Sequence, residues 1–265
     1  MRRRLTFLGT ATSSGVPLLG CCCATCTSND PRNRRLRSAA LVTLPQGRIL
    51  IDTPPEIRYQ LLNVHATESL TDLPIRAVLY THHHADHLFG FDDLRGLCRI
   101  LKGALPVFCR QDTARFIRAA FPYAFTPHAA SGPAGQLPRV QLQVFEDYEP
   151  FEVLGQAIMP VAIEHNVPVT AFRFDNLAYC TDVGAIPERS WSYLEGLDIL
   201  ILSCLRPYKP YVGHLTLEQA LEIIARLRPR RAYLTHLGHE MEYNALAKQL
   251  PPNVELAYDG LSLEF

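Results

Sequence analysis

The segment Thr81-His82-His83-His84-Ala85-Asp86-His87 sets three imidazoles and one carboxylate at the spacing His82-x-His84-x-Asp86-His87. Neutral imidazole nitrogen and carboxylate oxygen suit zinc, iron or manganese, and a second metal can share such a cluster when alternate residues point to different sides. The cluster directly follows the apolar run Ala77-Val78-Leu79-Tyr80, which reads as a buried strand, so the histidines stand at its carboxyl end. A solvated histidine-rich loop is the bland alternative, but an ordered pattern behind a strand is more specific than composition. The intervening His83 is expected to point away.

Three later segments end in the same manner. Ala157 to Ile163 closes with Glu164-His165, Leu177 to Thr181 with Asp182, and Arg231 to Leu234 with Thr235-His236. One such ending is usually structural; together with the first cluster they form a consistent set. Asp52 also ends a strand-like run, Arg48 to Asp52, and reads either as a turn or capping aspartate or as the partner of a ligating histidine. His214 stands in a loop before a helix that runs to about Leu227, where Thr216 and Gln219 are spaced as a capping box. It is either simply exposed or placed as a general acid. Arg206 and Lys209, just ahead of it, are phosphate contacts or plain surface charge.

Cys21-Cys22-Cys23-Ala24-Thr25-Cys26 carries a second chemistry. Cys21, Cys23 and Cys26 can converge on one tetrahedral zinc with Cys22 as bystander, and the fourth ligand must come from a distance. His239, one turn beyond His236, supplies it and would staple the N-terminal loop to the C-terminal part of the chain. A local disulfide or a redox pair competes, but adjacent cysteines bridge poorly.

The positioning elements follow from pattern. Leu5 to Thr10 reads as a first strand, and Ser38 to Leu44 with Arg48 to Asp52 as a hairpin around Pro45-Gln46-Gly47. Helices are expected from Pro54-Pro55-Glu56 to about Asn63, within Gly90 to Leu101, and from Gln111 to about Phe121. Leu105 to Cys109 and Leu197 to Cys204 read as strands. Pro122 to Arg139 breaks periodicity and reads as a loop, either a lid or a tolerated insertion, with His128 exposed.

The 265 residues are 48% hydrophobic with balanced formal charge, enough for a large core in one domain or two fused halves. Charge balance gives no general argument for nucleic acid or an anionic membrane as partner. No stretch approaches the roughly 20 apolar residues needed to cross a bilayer. Of the eight cysteines, Cys98, Cys109, Cys180 and Cys204 lie singly in apolar segments. With no convincing export signal, these features favour a reducing cytoplasm.

These motifs together resemble the metallo-β-lactamase superfamily, whose H-x-H-x-D-H signature stands as His82, His84, Asp86 and His87. The resemblance covers nearly the whole chain and implies a single α/β domain over residues 1–265, an αβ/βα four-layer sandwich. It implies His82, His84 and His165 on one metal, Asp86, His87 and His236 on the other, and Asp182 bridging. The opening Gly9-Thr10-Ala11-Thr12-Ser13-Ser14-Gly15-Val16-Pro17, with Gly20 and the C-x-C-x-x-C, is similar to the PhnP-type branch of phosphoribosyl cyclic phosphodiesterase-like enzymes. That branch implies a structural zinc on Cys21, Cys23, Cys26 and His239, two active-site divalent ions (manganese or zinc), a catalytic His214 and a possible homodimer. Asp52-Thr53-Pro54 departs from the usual Asp-Ala-Gly or Asp-Thr-Gly. The long arm that grips tRNA is not evident, which argues against tRNA as partner.

The expected function is hydrolysis of a small, possibly cyclic, phosphodiester through a dinuclear-metal-bound hydroxide, with His214 as general acid and Asp86 and Asp182 holding the metals. The rivals are a metal-dependent hydrolase of a thioester or lactone, and a non-enzymatic thiol-rich metal or redox sensor.

Overall fold

Many strand segments are apolar at consecutive positions rather than alternate ones, a pattern that demands burial on both faces. The computed structural model, which describes residues 3–265, meets that demand with two seven-stranded sheets packed face to face. The first sheet comprises β1 (Arg4–Gly9), β2 (Ala39–Leu44), β3 (Gly47–Ile51), β4 (Ile75–Leu79), β5 (Leu105–Cys109), β6 (Val140–Val144) and β14 (Ser262–Glu264). The second comprises β7 (Phe151–Val153), β8 (Gln156–Ile163), β9 (Val169–Phe174), β10 (Leu177–Cys180), β11 (Ile199–Ser203), β12 (Arg231–Thr235) and β13 (Val254–Leu256). Their orders are β14-β1-β2-β3-β4-β5-β6 and β13-β12-β11-β10-β9-β8-β7.

Neighbouring residues of one strand feed different cores. Ile49 and Ile51 of β3 meet Ile199 and Ile201 of β11 between the sheets. Leu50 turns the other way, toward helices α1 (Ile57–Thr67), α3 (Leu94–Leu101) and α4 (Gln111–Ala120), through Leu61, Leu97 and Ile117. Leu200 and Leu202 face Ile223, Ile224 and Leu227 of α6 (Leu217–Leu227) on the opposite outside. The result is the expected four-layer order, helices, sheet, sheet, helices. Among the described residues, no helix is long and apolar enough to cross a membrane.

The capping box at Thr216 and Gln219 forms as expected, with the Thr216 hydroxyl accepting from the Gln219 backbone and the Gln219 side chain from that of Thr216. Helix α1 runs one turn beyond Asn63, because Val64 still packs on the core. The stretch Pro122 to Arg139 is not a plain loop. It holds a short 3₁₀ turn, Pro122–Phe125, and α5 (Pro127–Ser131), whose start is set by the Thr126 hydroxyl accepting from Ala129 N–H with proline at the first position. Cys98, Cys109, Cys180 and Cys204 are all buried in the core, as their apolar surroundings require. His128 is exposed.

Parallel pairing of β3, β4 and β5 and of β10, β11 and β12 brings the carboxyl ends of the central strands to common edges. Asp52 follows β3, the histidine cluster follows β4, His165 follows β8, Asp182 follows β10 and His236 follows β12. Three of these residues turn the chain sharply: Asp52, Asp182 and His236 have φ of 62°, 52° and 57°. Left-handed backbone at non-glycine residues is held only where the surroundings over-determine it, and here it aims ligand-type side chains inward.

Candidate metal centre

Two donor sets converge. The ligand atoms of His82, His84 and His165 lie within 4.8 Å of one another, as do those of Asp86, His87 and His236. Asp86 and His87 occupy one turn, α2 (Ala85–Leu88), which follows His84 directly. Asp182 reaches both sets. Its Oδ2 is 3.1 Å from His87 Nε2 and 3.3 Å from His236 Nδ1, and its Oδ1 is 3.8 Å from His165 Nε2. All seven residues named from the sequence therefore meet at one place. His83 joins neither set; its ring stacks on Phe116 at 4.9 Å.

Four of the imidazoles are oriented by oxygen acceptors on Nδ1. His87 Nδ1 is 2.7 Å from Asp52 Oδ2, and His165 Nδ1 is 2.6 Å from the Gly213 carbonyl. Carboxylate and carbonyl oxygens only accept, so both Nδ1 atoms carry the proton. The Thr81 hydroxyl donates to Asp52 at 2.8 Å and accepts from His82 Nδ1 at 2.9 Å. The Ser38 hydroxyl donates to the Ala11 carbonyl and accepts from His236 Nδ1 at 3.2 Å. His82, His87 and His165 thus turn Nε2 toward the centre, the arrangement by which outer partners fix a ligating histidine, whereas His236 presents Nδ1 to both Ser38 and Asp182. Asp52 is accordingly the histidine partner rather than a cap. Of these partners only Thr81 stands beside a ligand position in the sequence; Ser38 lies 198 residues from His236 and gives no such signal.

The departure at Asp52-Thr53-Pro54 is absorbed locally. Thr53 N–H donates to the His87 carbonyl at 2.7 Å, and Gly90 N–H to the Thr53 carbonyl at 2.8 Å. Gly90 is needed for that approach, since a Cβ there would stand 2.2 Å from the Pro54 carbonyl oxygen.

Donor chemistry fits divalent cations. Nε2 of His82 and of His87 is buried without a hydrogen-bond partner. Burial opposes charge on His87, yet Asp182, Asp86 and Asp52 outweigh it and push its pKa well above the ordinary histidine range. Burial also opposes charge on Asp182, but His236 and His87 hold its carboxyl well below the usual carboxylate range. By contrast, burial first, then His87, keeps His82 neutral. Ionised carboxylates beside imidazole nitrogens are a hard and borderline donor set for a divalent ion, and the proton that these carboxylates hold on His87 is the one a bound cation would displace.

His214 sits beside this centre. Its ring lies 4.7 Å from that of His165 and stacks 5.2 Å from that of His236. Burial, then the neighbouring His236, holds its pKa down to about 4. Arg206 and Lys209 separate in space: Arg206 is half-buried and shares a pocket with His214, whereas Lys209 is exposed outside that lining.

A second cluster gathers Cys21, Cys23, Cys26 and His239, ligand atoms again within 4.8 Å of one another. His239 Nδ1 is 3.3 Å from Cys21 Sγ and 3.4 Å from Cys23 Sγ, while Cys22 is exposed. The Cys26 backbone N–H draws the Cys23 thiol down to about 6 against burial, and burial pushes Cys26 up to about 11. Among the described residues no cysteine is in a disulfide. The buried Arg35 guanidinium donates to the Met241 carbonyl at 2.7 Å, and Leu237 N–H donates to the Thr10 carbonyl at 2.8 Å. These bonds lock the N-terminal loop to the segment carrying both His236 and His239.

The beta-lactamase superfamily domain matches residues 47–237. The chain superposes on a diphosphatase of the PhnP family with a TM-score of 0.89 at 38% identity, covering 100% of this chain and 98% of the other. It superposes on zinc-bound PqqB from Methylobacterium extorquens with a TM-score of 0.79 at 19% identity, covering 99% and 100%, a likeness of fold. In sequence it is 33% identical over 225 residues to an octanoyltransferase of Porphyromonas gingivalis, covering 84% of this chain and 43% of that protein. The chain thus spans less than half the length of that relative. A shared fold across both sheets, the family domain over most of the chain and full-length similarity to the diphosphatase place this protein in the beta-lactamase superfamily of metal-dependent hydrolases, in its PhnP-type branch.

Proposed function

We propose that the chain is a metal-dependent phosphodiesterase acting on a small phosphodiester. In this reading His82, His84 and His165 hold one divalent ion, Asp86, His87 and His236 hold another, and Asp182 serves both. The carrying observation is the meeting of two three-donor sets at Asp182, with His214 beside them. When bound, such ions supply a water of lowered pKa and positive charge for phosphoryl oxygens. Zinc and manganese both suit the donors. The cysteine cluster with His239 suits a structural zinc.

This chain's own residues do the remainder. Asp52, Thr81 and the Gly213 carbonyl keep protons on Nδ1 of His87, His82 and His165, so the Nε2 atoms of those three rings cannot turn away. His214, whose Nδ1 has no hydrogen-bond partner, is positioned to hand a proton to the leaving oxygen. Its low pKa leaves it neutral near pH 7, so the negative charge of a bound phosphodiester must raise that pKa before it acts as an acid. Similarity to the diphosphatase along the whole chain supports phosphorus as the reacting atom.

The second reading is hydrolysis of a thioester or lactone by the same donors. The relative named as an octanoyltransferase, a protein named for moving an acyl group, favours it. A purely sensory role for the thiols leaves His214 and the oriented histidines without a task.

The test is a tag-free preparation whose metals are counted and which is assayed on bis-p-nitrophenyl phosphate, a thioester and a lactone with added Mn²⁺ or Zn²⁺. Metal-dependent phosphodiester cleavage with about three metals per chain is expected. Carbonyl hydrolysis alone would overturn the choice of reaction; no turnover on any ester would restore the sensor.

A further inference from the structure

Helices α1 and α3 border a groove of about 460 Å³ on the outside of the first sheet. Among the described residues, none that line it belongs to either donor set of the metal centre. Buried Leu61, Leu70 and Leu97 supply an apolar floor, and Leu62, which keeps 47% of its surface exposed, extends it outward with Ile100. The guanidinium groups of Arg58, Arg95 and Arg99 share this lining with a single carboxylate, that of Asp93. Arg95 is paired with Asp92 at 3.3 Å, but among the described residues neither Arg58 nor Arg99 has a carboxylate partner. Apolar surface beside unpaired cations complements a molecule with an apolar tail and an anionic head.

Two glycines shape the groove. Gly96 lies within α3, where glycine weakens a helix, and a Cβ there would meet nothing within 4 Å. Packing therefore has room for a side chain at this position, and the glycine leaves that room open to the groove. Gly135 closes one end, where a Cβ would stand 2.8 Å from Cβ of Arg99. Arg139 holds that segment down by donating to the carbonyls of Ala129 and Gly132. The aperiodic stretch Pro122 to Arg139 thus walls this groove. His65 adds a donor to the rim: its Nδ1 accepts from Leu70 N–H at 3.1 Å, so its Nε2 carries a proton.

We propose that this groove binds a medium-chain fatty carboxylate, its chain over Gly96 and the leucines and its head on Arg58 and Arg99. The lining follows most of α3, whose eight residues span about 12 Å, a length that an extended chain of eight to ten carbons matches. A purely polar anion would leave the leucine floor wet, and a neutral chain would leave both guanidinium groups unpaired. This site is independent of which ester the metal centre cleaves.

The experiment is isothermal titration of metal-loaded protein with hexanoate, octanoate, decanoate and 1-octanol. Affinity should rise about 3- to 4-fold for each added methylene, and octanoate should bind about 10-fold or more tightly than 1-octanol. The double variant Arg58→Ala with Arg99→Ala should lose that advantage while its 1-octanol binding stays unchanged. Gly96→Leu fills the open space with a better helix former, so it should unfold at the same or a higher temperature and bind octanoate at least about 10-fold more weakly. If Gly96→Leu does not fold, the arginine variant and the chain-length series decide the question. Affinity that is flat with chain length means an ion on surface arginines only and overturns the site. Octanoate binding that survives in both variants and vanishes with the metals puts the carboxylate at the metal centre and equally overturns it. Wild type that binds phosphatidylglycerol vesicles but not octanoate makes this face a lipid-surface contact, and the proposal fails.

Discussion

The carboxylate of Asp52 lies 2.7 Å from Nδ1 of His87, and both side chains are fully buried. The same carboxylate accepts from the Thr81 backbone N–H at 2.9 Å and from the Thr81 hydroxyl, which in turn faces His82. One buried anion therefore orients a histidine from each donor set. Asp52→Asn turns an amide N–H toward groups that already donate, so it should weaken metal binding about 10- to 100-fold. Thr81→Val removes only the link to His82 and should cost less. Competition against a chelator of known affinity reads both; an unchanged metal affinity in Asp52→Asn would remove Asp52 from this role.

A general acid matters in proportion to how poor the leaving group is. His214→Ala should reduce cleavage of an alkyl phosphodiester about 10²- to 10⁴-fold and that of a p-nitrophenyl ester far less, with metal content retained. Steady-state rates across a leaving-group series, paired with metal analysis, test this. A loss that is uniform across the series would show that His214 shapes the site without donating a proton.

Much of this was legible in the chain because chemistry and burial coincide at strand ends. Consecutive apolar runs such as Ile49 to Ile51 and Ile199 to Leu202 announce two-sided burial, and Asp52 after the first marks the edge where the ligand-type side chains gather. The cysteine spacing likewise announced a missing partner, and His239 stands there. Less legible was Asp52, since an aspartate before proline also suits a turn; only its 2.7 Å approach to His87 distinguishes the two. Strand β6 escaped notice because its alternate residues Gln141 and Gln143 sit at a sheet edge with little burial. Arg206 and Lys209 look alike in sequence; loop geometry alone puts one in a pocket and the other in solvent.

The cysteine cluster ties the N-terminal loop to the segment after β12, so its loss should be felt as stability before it is felt as chemistry. Cys23→Ser removes one of four donors and should lower both zinc content and thermal stability more than the rate per folded, metal-loaded enzyme. Metal counting and thermal unfolding on the same sample check it. An unchanged zinc count would refute the four-donor assignment.

Asp259 offers a pH dependence separate from both clusters. Its carboxylate accepts from the Thr10 hydroxyl and from Leu36 N–H, each at 2.7 Å, but burial dominates and pushes its pKa up to about 7. Below an unfolded pKa near 4, both folded and unfolded chains hold the proton. Between about pH 4 and pH 7 the folded chain keeps a proton that the unfolded chain has released, so stability falls as pH rises through that window and levels off above it. The full effect is on the order of 3–4 kcal/mol. Asp259→Asn is neutral throughout and can still accept from Leu36 while its amide donates to the Thr10 hydroxyl. The variant should therefore match wild type near pH 4.5 and gain on it near pH 7.5. Urea unfolding of both proteins at the two pH values, in the same metal buffer, isolates the difference because the metal sites contribute equally. A gap that does not change with pH would mean that Asp259 is ionised in the folded protein across the whole range.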